Sequence, residues 1–266
     1  RLQDYAWRLW DYWERHLDPD LFIDRSLRGH VAGKVVVVTG GSSGIGYATA
    51  LMMGQAGARV AIVARDKDKL SGAVREIVED GGEAHAFSAD LSVMEDCDTV
   101  VKEITRKMGK IDILVNNAGR SIRRGIASSY DRFHDFERTM QLNYFGSLRM
   151  IMNALPAMEK NRSGHVINIS SIAGWMPSTS TGVYGATKSF VTSFSTSLHD
   201  ELAHVGMSLT AVCPGLPHID FHERTCLNVE GLPSAIWQDG RIYKNPFGLD
   251  ERIVNRTLDE AHACRK

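Results

Sequence analysis

Lys34-Val35-Val36-Val37-Val38-Thr39-Gly40-Gly41-Ser42-Ser43-Gly44-Ile45-Gly46 is the stretch whose reading decides the fold. Its four consecutive valines are β-branched and apolar on both faces of a strand, the pattern of a strand covered above and below. They run into a turn rich in glycine, and a helical stretch follows from about Ile45 to Gln55. Glycine lets the backbone turn tightly and approach a ligand closely. A helix starting there aims free N–H groups and the positive end of its dipole at a bound anion. The strand-to-helix context is the one a dinucleotide phosphate site requires.

Outward from this turn, strand and helix alternate. Arg59–Ala64 reads as a second strand, Asp66–Glu79 as a helix, Ala84–Phe87 as a short third strand and Val93–Met108 as a helix. Ile111–Val115 and His165–Ile169 are predicted as strands four and five, with two helices between them around Asp131–Lys160. Tyr184–His204 reads as a helix and Met207–Val212 as a sixth strand. Doubly apolar strands alternating with helices predict an α/β fold: a doubly wound, Rossmann-type parallel sheet with helices on both faces.

The 266 residues are 43% hydrophobic and 24% charged, with 31 basic against 32 acidic side chains, the balance of an ordinary globular protein. A formal charge of -1 gives no electrostatic reason to expect nucleic acid as a partner. No run approaches the roughly 20 apolar residues of a membrane span. Residues 1–28 are expected to form an aromatic helix and linker, carrying Tyr5, Trp7, Trp10, Tyr12 and Trp13, with residues 29–266 as the main domain. That helix either packs on its own domain or connects to a preceding module or subunit. The chain opens with Arg1 and has no signal-peptide core, as expected of a fragment or processed chain. Residues 216–250 show little periodicity and carry Pro217, Pro233 and Pro246, so they read as a mobile loop on the substrate side. Cys97, Cys213, Cys226 and Cys264 are scattered without metal-site spacing, which predicts free thiols, no metal and a cytoplasmic location.

The turn is not G-x-G-x-x-G but Thr39-Gly40-x-x-x-Gly44-Ile45-Gly46, and it resembles the short-chain dehydrogenase/reductase family. Other segments match in order: Asn116-Asn117-Ala118-Gly119 after strand four, Asn143, Ser171 thirteen residues before Tyr184, the Tyr184-x-x-x-Lys188 pair, and Pro214-Gly215 after strand six. The resemblance covers about Lys34 to Gly215 and implies catalytic roles for Asn143, Ser171, Tyr184 and Lys188. It implies that Gly40, Ser42, Ser43, Gly44, Ile45, Gly46, Arg65, Asp90, Leu91, Asn117, Ala118, Gly119, Tyr184, Lys188, Pro214 and Gly215 bind a nicotinamide cofactor.

The chemistry suits these residue types. Tyr184 and Lys188 lie four apart, on one helix face a turn apart. A free tyrosine titrates near pH ~10, and a neighbouring ammonium favours its phenolate. Tyr184 would then donate a proton to a carbonyl oxygen or remove it in reverse. Ser171 would hydrogen-bond the same oxygen; Ser171 is chosen over Ser170 by the family's spacing. Asn143 is implied to hold a water linking Lys188 to solvent.

NAD-using members place an acid at the end of strand two to bind the ribose. Here that position is Ala64, and Arg65 follows, whose guanidinium would pair with a 2′-phosphate. NADP(H) is therefore the expected cofactor, with Asp66 capping the next helix. The stretches Asn117–Arg124 and Tyr130–Gly146 resemble a bacterial fatty acyl-CoA reductase branch, whose members act on long-chain acyl-CoA, fatty aldehydes or 3-oxo lipids, some as one module of a longer chain. Arg120, Arg123 and Arg124 would form a cationic rim for a CoA phosphate or an ordinary salt-bridged loop. Leu216-Pro217-His218-Ile219-Asp220 departs from the family, and relatives continue toward a seventh strand past Lys266, which leaves an incomplete sheet edge. Three readings stay open: a fatty aldehyde or acyl-CoA reductase in lipid metabolism, a 3-oxoacyl or ketone reductase, and a non-catalytic NADP-binding interaction module. A homo-oligomer is expected through Asp131–Lys160 and Tyr184–His204.

Overall fold

The computed structural model describes residues 27–122, 124–176, 181–214, 235–238 and 241–244, the last two stretches as backbone. Of the aromatic helix and linker predicted over residues 1–28, residues 1–26 lie outside them, as do Arg123 and Gly215. A helical turn, α1 (Leu27–Val31), leads into the first strand.

Strand β1 (Val35–Thr39) is wholly buried because each of its faces is covered. Val35 and Val37 enter one core with the apolar sides of α4 (Met94–Met108), α6 (Ser147–Lys160) and α7 (Gly182–Ala203). Val36 and Val38 enter the other with Ala50 of α2 (Gly44–Gln55) and Leu70, Ala73 and Ile77 of α3 (Lys67–Glu79). Each fully buried valine contributes about 1.5–3 kcal/mol, so this run anchors the sheet.

With β2 (Arg59–Ala64), β3 (Glu83–Ser88), β4 (Ile113–Asn116), β5 (His165–Ile169) and β6 (Ser208–Cys213), β1 makes a six-stranded parallel sheet ordered β3-β2-β1-β4-β5-β6. This is the expected doubly wound α/β architecture. Element ends differ from the sequence reading by one or two residues, where helix and strand termini fray. The order reverses between β1 and β4, so a crevice opens at their carboxyl ends, where such sheets bind ligands.

Two features depart from expectation. The segment read as an irregular loop over 216–250 contains two strands, β7 (Ala235–Gln238) and β8 (Arg241–Lys244), paired antiparallel and extending the sheet past β6. The β6 edge is therefore covered within this chain. Asp239-Gly240, flanked by alternating apolar residues, is a hairpin signal that the three prolines outweighed. Second, the two helices between β4 and β5, α5 (Phe133–Met140) and α6, join without a break through one π-helical turn, Gln141–Gly146. Such turns recur at functional sites, and this one carries Asn143. Gly146 lies so close to Leu91 that a Cβ would collide with the Leu91 carbonyl oxygen.

Candidate active site

The crevice is stitched at its base by Thr39. Its Oγ1 donates to the Val115 carbonyl at 3.2 Å and accepts from the Asn117 and Ala118 N–H groups at 2.9 and 3.0 Å. Asn117 Nδ2 donates in return to Thr39 O at 3.0 Å. The ends of β1 and β4 are thus locked together, and the glycines of the turn fit around that lock. Gly40 has φ +64°, and a Cβ on it would stand 3.0 Å from Ala118 Cα. A Cβ on Gly46 would collide with the Gly40 carbonyl and the Asn117 amide. Both glycines are demanded by close backbone approach.

Above this base lies a cleft of about 760 Å³. Gly40, Ser42, Ser43, Ile45, Arg65, Leu91, Asn117, Ala118 and Gly119, all named above as cofactor-binding candidates, line it. The N-terminus of α2 opens beneath it, with Ser43 as N-cap and no side-chain cap bond. The volume, the glycine clearances and the exposed helix end fit a dinucleotide with its phosphates at α2.

At one end of the cleft stand Arg65, Asp66 and Lys69. Asp66 Oδ1 accepts from the Asp68 and Lys69 N–H groups, both at 3.1 Å, and caps α3 as expected. Lys69 was not among the residues singled out in the sequence; it stands in the first turn of α3 and lines the cleft together with Arg65. Arg65 Nη1 lies 3.6 Å from Asp90 Oδ2. Burial pushes the Asp90 carboxyl up, but hydrogen bonds from Ser92 and the charge of Arg65 outweigh it, leaving Asp90 below the usual carboxylate range. Asp90 itself lines a smaller adjoining cavity of about 340 Å³ with Arg65, Arg120 and Arg138. The three arginines proposed as one rim are not held alike: Arg124 Nε pairs with the buried Asp135 at 3.7 Å, which Arg132 also engages at 2.9 Å.

The cleft wall at Gly119 stands beside Lys188, which shares α7 with Tyr184. Lys188 is 5% exposed, and its Nζ donates to the Ile169 carbonyl at 2.7 Å. Burial pulls its pKa down to about 8, with Cys213 acting in the opposite direction. Nζ stands 5.9 Å from the centre of the Tyr184 ring, confirming that the two share one face of α7. Gly119 closes the wall beside them: a Cβ there would lie 3.5 Å from Lys188 Nζ and 3.4 Å from Asn143 Oδ1.

The two serines at the end of β5 face different tasks. Ser170 Oγ donates to the Lys188 carbonyl at 2.9 Å and meets Thr192 Oγ1 at 2.7 Å, so it fastens α7 to the sheet. Ser171 instead caps the turn Ile172–Gly174, accepting from Ala173 N–H at 3.2 Å. That turn packs on α7 between Tyr184 and Lys188, where Gly185 approaches the Ala173 carbonyl and Ser189 Oγ donates to Gly174 O at 2.6 Å. Pro214 joins it, its carbonyl accepting from Ile172 N–H at 3.1 Å. Trp175 Nε1 also reaches Cys213 Sγ at 3.2 Å.

Asn143 is fully buried, and its side chain is committed to protein. Nδ2 donates to Arg120 O at 2.8 Å and to Thr187 Oγ1 at 3.1 Å, while Oδ1 accepts from Arg120 N–H at 2.7 Å. No sequence pattern signals the Thr187 link, because the partners lie 44 residues apart.

Known proteins converge on the same arrangement. The short chain dehydrogenase family model matches residues 34–225. A fatty acyl-CoA reductase of Acinetobacter baylyi is 43% identical over 190 residues, 71% of this chain and 64% of that protein, so the chain matches under two-thirds of that relative's length. A metagenomic short-chain oxidoreductase solved with NADP superposes with a TM-score of 0.67 at 35% identity, over 70% of this chain and 84% of that one. NAD+-bound xylitol dehydrogenase superposes at 0.68 with 27% identity, over 73% and 75%. A parallel sheet with its crevice at the β1–β4 reversal, Lys188 and Tyr184 on one helix face beside it, and a family match over most of the described residues place this chain among the short-chain dehydrogenases, a family of oxidoreductases.

Proposed function

We propose that the chain is an NADPH-dependent reductase acting on the carbonyl of a long-chain acyl substrate, a fatty aldehyde or a fatty acyl-CoA. The observation that carries this reading is the course of the cleft, from Arg65 and Lys69 at one end to Gly119, beside Lys188, at the other. Relatives are found with either nicotinamide cofactor, so the charge at the ribose end decides. Arg65 and Lys69 supply two cations there; of the carboxylates beside them, Asp66 is occupied as a helix cap and Asp90 pairs with Arg65 at 3.6 Å. A 2′-phosphate suits that end better than a bare ribose.

The substrate class follows the named relative, a fatty acyl-CoA reductase. When bound, the cofactor supplies hydride. Tyr184 donates its hydroxyl proton to the substrate oxygen, and the Lys188 ammonium favours the phenolate left behind. Ser171, held by its turn against α7, hydrogen-bonds the same oxygen. A water between Lys188 and solvent would meet Asn143 at its backbone carbonyl or the remaining lone pair of Oδ1. The exposed Phe145, Met152 and Phe190 of the π-turn, α6 and α7 suit burial against a second copy.

The test is loss of NADPH absorbance with decanal, decanoyl-CoA and a 3-oxoacyl thioester, repeated with NADH. Oxidation with either of the first two, and a preference for NADPH of at least about tenfold, is the expected result. Turnover of the 3-oxo substrate alone would make the chain a ketone reductase. Cofactor binding without oxidation would make it an interaction module.

A further inference from the structure

We infer that Thr187 is a positioning residue: its hydroxyl anchors the Asn143 amide to α7 in the orientation that Arg120 requires, and through it the loop that walls the cleft beside Lys188. Thr187 is fully buried in α7. Its Oγ1 donates to the Tyr184 carbonyl one turn back at 2.7 Å, so its only proton is spent there. Toward Asn143 it can therefore only accept, and the group facing it across 3.1 Å must be the amide nitrogen. With that end fixed, Nδ2 has one hydrogen left, which goes to Arg120 O at 2.8 Å, and Oδ1 takes the Arg120 N–H at 2.7 Å. The reverse orientation would set the Asn143 side-chain oxygen against both the Thr187 lone pairs and Arg120 O, and its NH2 against the Arg120 N–H, leaving buried groups unpaired. Arg120 is gripped at both backbone groups, and this grip holds Gly119 against Lys188 Nζ. One hydroxyl thus ties the proton-handling helix to the far wall of the cleft. The effect on turnover rests on the reductase reading; the effect on the loop does not.

Thr187→Val keeps the shape and removes both hydrogen bonds, whereas Thr187→Ser keeps the hydroxyl. Hydrogen–deuterium exchange of the Arg120 amide is expected to quicken by at least about tenfold in Thr187→Val and to stay at the wild-type rate in Thr187→Ser. With an acyl substrate the Val variant is expected to lose at least about tenfold in kcat while KM for NADPH changes less than about threefold, and Ser is expected to restore kcat. Wild-type exchange at Arg120 in the Val variant, or a Ser variant as fast-exchanging as Val, would overturn the inference. If Thr187→Val does not fold, Thr187→Ala carries the same expectations. If the wild type turns over no substrate, the reductase reading falls and the exchange result alone decides the role of Thr187.

Discussion

Lys188→Met removes a buried charge while keeping the length of the side chain, and its consequence for stability is worked from the burial of Nζ. In the folded, cofactor-free protein the ammonium titrates at about 8, against 10.5 for an ordinary lysine. The folded value is the lower one, so between those pH values the unfolded chain holds a proton that the folded chain has released. Stability must then rise with pH across that window. Below pH 8 the group is charged in both states and the contribution is flat. Between pH 7 and pH 10 the wild type should gain about 2.5 kcal/mol relative to Lys188→Met. Urea unfolding of both proteins at each pH unit measures it, and the difference between them cancels the other titrating groups. Parallel stability curves, agreeing within about 0.5 kcal/mol across the range, would refute the depressed pKa and with it the dry setting assigned to this amine.

Two further outcomes follow from the cleft. Gly46→Ala forces a methyl group against the Gly40 carbonyl and the Asn117 amide; it should destabilise the protein by about 1–3 kcal/mol and weaken NADPH binding, read by thermal unfolding and by titration of cofactor fluorescence. Arg65→Asp places a carboxylate at the ribose end and should raise KM for NADPH at least about tenfold while favouring NADH; an unchanged KM for NADPH would remove Arg65 from the cofactor assignment.

What could be read in the chain was local. The valines of β1 announce a doubly covered strand because burial on both faces selects apolar, β-branched residues at every position. The glycine turn is legible because the close approach of Asn117, Ala118 and the turn's own backbone leaves no room for a Cβ at Gly40 or Gly46. What stayed hidden depended on partners distant in sequence or on small deviations from a regular period. The π-turn at Gln141–Gly146 keeps a helical pattern, so it reads as ordinary helix. The grip of Asn143 on Arg120 spans 23 residues and its link to Thr187 spans 44. Of the two readings open for Arg124, an anion rim or a salt-bridged loop, its pairing with Asp135 matches the second, a partner eleven residues away that no local pattern names. Between β7 and β8 the Asp239-Gly240 pair is a local hairpin signal, and Pro233 and Pro246 on either side oppose it as strand breakers.

The role of Tyr184 is tested most directly by NADPH oxidation with decanal and decanoyl-CoA by the wild type and by Tyr184→Phe, alongside NADPH binding to both. Loss of the hydroxyl should leave cofactor affinity within about threefold and lower kcat by at least about a hundredfold, because only the proton has been taken away. Undiminished turnover in Tyr184→Phe would contradict the assignment of this phenol as the group that hands the proton to the substrate.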